Sequence, residues 1–231
     1  MKTTILNQRA ERDELMSRPY QQRHTKYNTD ELLQNPLIKL ITGPRRVGKS
    51  VFALLMLQGK NFAYLNFDDN QLLDKWDEDL VMSAIEDVYP GYDFILLDGV
   101  QNLPDWDLWI GKLYRRGKNL VITGSNAKML SSEIATTLGG RYMIHEVYPY
   151  SFAEYLKVSG IDVKAKNALY AYAKDIVRLS NIYFQHGGLP ETVGMKEPRS
   201  WMSNLFSKIF FGDLVARYKI RNDYALRVMI R

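Results

Sequence analysis

From Leu37 onward, short apolar runs alternate with longer segments in which apolar residues recur every three or four positions. The runs Leu37–Thr42, Phe62–Phe67, Phe94–Asp98, Asn119–Thr123 and Tyr142–Val147 are each long enough for a strand that crosses a domain. Being nearly continuous in apolar residues, they predict a sheet covered on both faces. Helices fit between them at Ser50–Gln58, Leu72–Val88, Trp106–Arg116 and Ser132–Leu138. Repeated strand–helix–strand units imply an α/β fold with a parallel sheet.

The flanks follow other patterns. Residues 1–35 are polar and basic, broken by Pro19, with helices expected at Ile5–Met16 and at Asp30–Gln34, where Thr29 can cap. They read as an N-terminal arm. Residues 36–150 form the α/β core, and Tyr148-Pro149-Tyr150 ends its alternation. Ser151 then caps a helix starting at Phe152, Lys164–Phe184 reads as one long helix, and Gly187–Glu191 (GGLPE) reads as a turn. Ser200–Phe211 is a helix with Trp201, Leu205 and Ile209 on one face, and Asn222–Arg231 is a capped helix without a stop signal. Residues 151–231 are therefore expected to be a small helical unit, the truncated start of a C-terminal domain.

Composition narrows the chemistry. With 231 residues and 46% hydrophobic content, the chain can bury one large core with a small appended unit. No apolar stretch approaches bilayer length and the first residues are charged, so a cytoplasmic protein that spans no membrane is expected. The absence of cysteine excludes disulfides, thiolate zinc sites and a cysteine nucleophile. His24, His145 and His186 are scattered and read as surface or core residues rather than ligands. A net charge of +5 permits an acidic partner, but Lys and Arg are spread along the chain, which does not by itself point to nucleic acid.

The first chemical motif lies directly behind the first strand. Gly43, Pro44, Arg45, Arg46, Val47, Gly48, Lys49 and Ser50, leading into Val51, make G-x-x-x-x-G-K-[ST], the Walker A phosphate loop. Its backbone N–H groups can curl around phosphate, Lys49 can reach the β- and γ-phosphates, and the Ser50 hydroxyl can ligate Mg²⁺. The helix that follows would aim its dipole at the phosphates. Arg45 and Arg46 are close to phosphate, with side chains toward solvent or a partner.

Phe94–Asp98 makes the Walker B strand and places a carboxylate at its C-terminal end, beside Mg²⁺. The next residue is Gly99, at the position where the P-loop ATPases that these two motifs resemble usually carry a water-orienting glutamate. The small size of glycine equally suits a tight turn. Asp68 and Asp69, at the end of the neighbouring second strand, are within plausible reach of that water, or they cap the next helix. Ile122–Ala127 (ITGSNA) should emerge between the two Walker strands, where Asn126 or Ser125 can sense the γ-phosphate or cap a helix. Arg141, after Gly139-Gly140, can neutralise transferred charge within the chain or in a neighbour, or simply lie on the surface.

This run of motifs resembles the prokaryotic, especially archaeal, AAA-type ATPases of unknown function, distant relatives of the STAND signalling ATPases. The resemblance rests on ITGPRRVGKS, YLNFDD (Tyr64–Asp69), LLDGVQNLPDW (Leu96–Trp106), ITGSNAKML (Ile122–Leu130), LGGR (Leu138–Arg141), YPYSFAEYL (Tyr148–Leu156) and GGLPE. It implies ATP and Mg²⁺ as ligands, Lys49, Ser50 and Asp98 as site residues, Asn126 and Arg141 as further candidates, and a C-terminal domain of winged-helix character. Glutamate stands in that family where this chain has Gly99, so binding is the safer expectation and turnover the open one.

Together these features predict a P-loop three-layer sandwich with sheet order 5-1-4-3-2. It would be an Mg-ATP-binding ATPase that couples nucleotide state to conformation. The competing reading is a nucleotide-gated switch that recruits DNA or protein through a C-terminal part. A GTPase is disfavoured because no N-K-x-D motif is present, and nothing presents the phosphoryl acceptor a kinase needs. Oligomeric state is not legible.

Overall fold

Each of the five apolar runs becomes a strand, and all five pair in parallel. The computed structural model describes residues 1–25, 28–124, 138–215 and 220–230. Among these, the strands are β1 (Ile38–Thr42), β2 (Phe62–Asn66), β3 (Phe94–Asp98), β4 (Leu120–Thr123) and β5 (Tyr142–Glu146). Their order across the sheet is β2-β3-β4-β1-β5, which is the expected 5-1-4-3-2. Register pairs Asn66 with Asp98, Leu97 with Ile122, Leu40 with Ile122, and Thr42 with Glu146. The C-terminal ends of all five strands therefore lie along one edge of the sheet.

Alternate side chains leave the strands on opposite faces, and helices cover both. Leu40, Leu65, Leu97 and Ile122 pack against α5 (Glu78–Val88) and α6 (Trp106–Arg115) through Val81, Ile85, Trp109 and Ile110. Ile41, Tyr64, Leu96 and Val121 meet α2 (Thr29–Gln34) and α3 (Lys49–Met56) through Leu32, Leu33, Phe52 and Leu54. The exception is β5, an edge strand whose residues are only partly buried, with Ile144 exposed. Its His145 and Glu146 interrupt the apolar run, so one face stays half open.

Several helices differ from the pattern-based expectation for identifiable reasons. The long Leu72–Val88 helix is two, α4 (Asn70–Leu73) and α5, because the Asp77 carboxylate accepts from Leu80 N–H and starts a new helix. Asn28, not Thr29, caps α2 by accepting from Asp30 N–H. The expected Lys164–Phe184 helix is interrupted at Tyr172 between α8 (Ala168–Ala171) and α9 (Ala173–His186). The expected Ser132–Leu138 helix lies almost wholly outside the described residues.

The largest difference concerns the polar N-terminus. The helix α1 (Lys2–Ser17) packs into the core, with Ile5 fully buried beside α5. It lies against the free edge of β2 and satisfies that edge with side chains. Gln8 accepts from Asn66 N–H at 3.0 Å and donates to Asn66 C=O at 3.1 Å, while Arg12 donates to Phe62 C=O at 2.6 Å. An otherwise unpaired edge is thereby closed to other chains.

After β5, α7 (Phe152–Val158) opens with a complete Ser151/Glu154 capping box. It packs with α9 around Tyr155, Leu156 and Leu179. The chain continues through α10 (Pro198–Lys208), a π-helical stretch at Ile209–Val215, and α11 (Asp223–Ile230). Among the described residues, no helix is long and apolar enough to cross a membrane.

Candidate functional site

Backbone strain and close approach explain the glycines of the loop after β1. A Cβ on Gly43 would fall 2.1 Å from the Val147 carbonyl oxygen, so only glycine permits the chain to pass there. Gly48 is left-handed (φ +87°) and opens α3, whose first-turn N–H groups face the loop. Together they shape a cradle of backbone donors at the C-terminal edge of the sheet, and an anion suits it.

Lys49 lies folded across this loop and donates to the carbonyls of Gly43 (3.1 Å) and Pro44 (2.7 Å). Burial lowers its ammonium to about 8; Asp98 opposes this shift and Arg45 adds to it. These carbonyls keep the cation over the cradle. Ser50 donates to Asp98 Oδ1 at 2.8 Å, which joins the first and second motifs directly. Hydroxyl and carboxylate are hard oxygen donors, the set that suits Mg²⁺ completed by phosphate oxygens and water. The residues present fit that ion: Ser50 and Asp98 would hold it.

Asp98 is buried, and burial pushes its carboxyl upward, against hydrogen bonds from Thr123, Ser50 and Tyr64. Thr123, the last residue of β4, donates to Asp98 Oδ1 and accepts from Gly99 N–H at 3.1 Å. Tyr64 Oη donates to Asp98 Oδ2 at 3.4 Å, and burial pushes its own phenol up. Both residues escaped the sequence reading. The sheet order carried the signal for Thr123, because β4 lies between β1 and β3 and its end must flank Asp98.

The other candidate residues distribute unevenly. Pro44, Arg45 and Arg46 are exposed on the loop, Val47 is buried beneath it, and Val51 sits in the first turn of α3. Asn126 and Ser125 lie outside the described residues. Arg141 is exposed and precedes β5, and its carbonyl accepts from Ile38 N–H at the start of β1. It is thus at the opposite edge of the sheet from the loop, about 16 Å away along a five-residue strand. The structure does not bring it to the phosphate cradle of its own chain.

Residues distant in sequence tie the loop to the helical unit. Arg23 donates to Val47 C=O (2.9 Å), to Tyr148 C=O and to Glu154 (3.0 Å), and lies over the Tyr150 ring. Arg46 pairs with Glu191 at 2.8 Å. Gly188 passes so close to Tyr150 that a Cβ would fall 2.1 Å from its carbonyl oxygen, and Tyr150 N–H donates to Gly188 C=O. GGLPE is therefore a docking element, with Pro190–Thr192 forming a 3₁₀ turn. No local pattern announces Arg23. Its partners lie up to 131 positions away.

Beside the loop opens a cleft of about 470 Å³ lined by Arg23, Phe52, His145, Tyr148, Tyr150 and Tyr183. Phe52 and His145 stack with ring centroids 4.6 Å apart and planes almost parallel. Burial lowers the His145 imidazole, as does the nearby Arg23 cation. An aromatic wall next to a phosphate cradle suits a flat heterocycle.

Comparison with known proteins adds a family and some relatives. A family model described as "AAA domain" matches residues 35–156. An uncharacterized protein of Methanocaldococcus jannaschii is 31% identical over 199 residues, covering 83% of this chain and 45% of the relative. An uncharacterized protein of Haemophilus influenzae is 31% identical over 209 residues, covering 84% and 50%. The chain thus spans about half the length of these curated relatives. Among solved structures, AMPPCP-bound DnaA from Aquifex aeolicus aligns at 16% identity, covering 82% of this chain and 67% of that one, with a TM-score of 0.39. Cdc6p from Pyrobaculum aerophilum aligns at 18% identity, covering 64% and 52%, with a TM-score of 0.40.

Proposed function

Because the chain belongs to the AAA domain family, we propose that it binds ATP with Mg²⁺ in the Gly43–Val51 cradle and couples nucleotide state to the helical unit. The observation that carries this reading is the Ser50–Asp98 hydrogen bond beneath the phosphate loop. Lys49 would hold the β- and γ-phosphates, and Ser50 and Asp98 would hold Mg²⁺, which would supply charge neutralisation at the phosphates. The base lies in the aromatic cleft. The links Arg46–Glu191 and Arg23–Glu154 pass a change in the loop to the helices.

In the ATPase reading water attacks the γ-phosphate, Asn126 reports that phosphate, and Arg141 serves the site of a neighbouring copy. A second reading, a switch that binds ATP without cleaving it, is favoured by Gly99: its φ of +71° and missing side chain leave no carboxylate directly after Asp98. The finer placement near STAND ATPases, a following winged-helix-like domain, a DNA or protein partner and a cytoplasmic location complete the proposal. The greater length of the relatives supports the further domain.

Titration with a fluorescent ATP analogue tests the site. Lys49→Ala is expected to weaken binding at least about tenfold, the equivalent of losing one charge-assisted contact of about 1.4 kcal/mol or more. Ser50→Ala is expected to remove its Mg²⁺ dependence. Binding that both substitutions leave intact, or preferential binding of GTP in competition, overturns the assignment.

A further inference from the structure

The second motif lacks a carboxylate at Gly99, yet the structure supplies one at that place from another strand. Asn66 at the end of β2 pairs with Asp98, and Phe67 N–H donates to Asp98 C=O at 2.8 Å, so β2 runs on beside the exit of β3. Asp68 follows immediately. A Cβ built on Gly99 would meet Asp68 Oδ1 at 3.4 Å. The Asp68 carboxylate thus borders the space that a side chain at position 99 would enter.

Its orientation is fixed rather than incidental. Asn102, in the 3₁₀ turn Val100–Asn102 that follows Gly99, donates to Asp68 Oδ1 at 2.6 Å and to Phe67 C=O at 3.2 Å. Asp68 N–H donates to Asn66 Oδ1 at 2.9 Å. Among the described residues nothing donates to Oδ2, and Asp68 is exposed. The adjacent Asp69 is committed elsewhere: it caps α4 through Gln71 N–H and accepts from Gln8. Of the two aspartates, Asp69 is held by structural contacts, whereas Asp68 keeps an exposed carboxylate beside Gly99. The proximity is also electrostatic, since Asp68 contributes to raising Asp98.

We infer that Asp68 is the general base of an ATP hydrolysis that Gly99 would otherwise disable. This rests on the ATPase reading above. Asp68 accepts a proton from the attacking water as its oxygen bonds to the γ-phosphorus; the bond from phosphorus to the bridging oxygen breaks, and its electron pair leaves with ADP. The proton then passes to solvent. ATP and water give ADP, phosphate and a proton, with no further reactant. Position 99 is small for a backbone reason, since its φ of +71° is left-handed, and a Cβ there would only touch the Asp68 carboxylate at van der Waals distance.

The test uses the full chain with Mg-ATP, measuring phosphate release, analogue affinity and thermal unfolding for the unsubstituted protein, Asp68→Asn and Lys49→Ala. Expected is a kcat for Asp68→Asn lower by about 10²–10⁴-fold, or down to the Lys49→Ala background, with nucleotide affinity within about twofold and an unchanged melting temperature. An Asp68→Asn kcat within about threefold of the unsubstituted protein overturns the inference. So does an unsubstituted protein that binds Mg-ATP but releases phosphate no faster than Lys49→Ala. Failure to bind Mg-ATP at all instead overturns the nucleotide-site reading itself.

Discussion

At the scale of single residues, the site is organised around one buried carboxylate. Asp98 collects hydroxyls from Ser50, Thr123 and Tyr64, each delivered by a different element. Thr123 also holds Gly99 N–H, so it sets both the carboxylate and the turn after it. Thr123→Val keeps the shape and removes the hydroxyl, leaving a buried N–H and one carboxylate oxygen short of a partner. The expected cost is about 1–3 kcal/mol of unfolding free energy, measured by urea denaturation. A loss below about 0.5 kcal/mol would mean that water replaces the hydroxyl. Such a residue was within reach of sequence reasoning, because strand order alone places it. Tyr64 was not, since its direction within β2 depends on which face its strand buries.

Among elements, strands were more legible than helices, and the cause is physical. A parallel strand buried on both faces needs a continuous apolar run, so β1 to β4 announce themselves. Helix limits depend instead on caps, and Asp77 and Asn28 compete with neighbours of similar chemistry. The role of α1 was invisible because Gln8 and Arg12 bind backbone atoms of β2, and no periodicity encodes that. The capping box of α7 was legible in part: Ser151 was, whereas the ion pair of Glu154 with Arg23 was not. Burial works to raise the Glu154 carboxyl, but hydrogen bonds from His24 N–H, Ser151 N–H and Arg23 outweigh it and hold the group below its ordinary 4.5. A carboxyl lowered on folding contributes stability that is present above pH 4.5 and is lost as pH falls below it. Glu154→Gln should therefore be less stable than the unsubstituted protein near neutral pH. The gap should narrow in more acidic solution, as thermal unfolding measured across pH 7 to 3 would reveal. A gap that is constant across this range would show that Glu154 acts through packing alone.

At the scale of the whole molecule, the proposed coupling needs contacts between the loop and the helices after β5. Among the described residues, the ion pairs of two arginines help to bridge them. Arg23–Glu154 is buried and joins the N-terminal segment, Val47 and α7, so removing it disturbs the fold itself. Arg46–Glu191 is different. It joins the phosphate loop to the turn after GGLP, and both side chains are well exposed. An exposed pair contributes only about 0–1 kcal/mol, so its loss should barely alter stability. Arg46 is held at φ +65°, a left-handed conformation that costs a non-glycine residue about 1–2 kcal/mol. A loop that reshapes around phosphate would move this guanidinium first. Coupling between sites is reciprocal, so a link of at most about 1 kcal/mol can alter nucleotide affinity by no more than about fivefold. Glu191→Gln is accordingly expected to leave ATP-analogue affinity within that limit and the melting temperature unchanged. Limited proteolysis between Gly187 and Glu197 should be slowed by Mg-ATP in the unsubstituted protein and no longer slowed in Glu191→Gln. Equal protection of the two proteins would mean that the signal travels through Arg23 rather than Arg46.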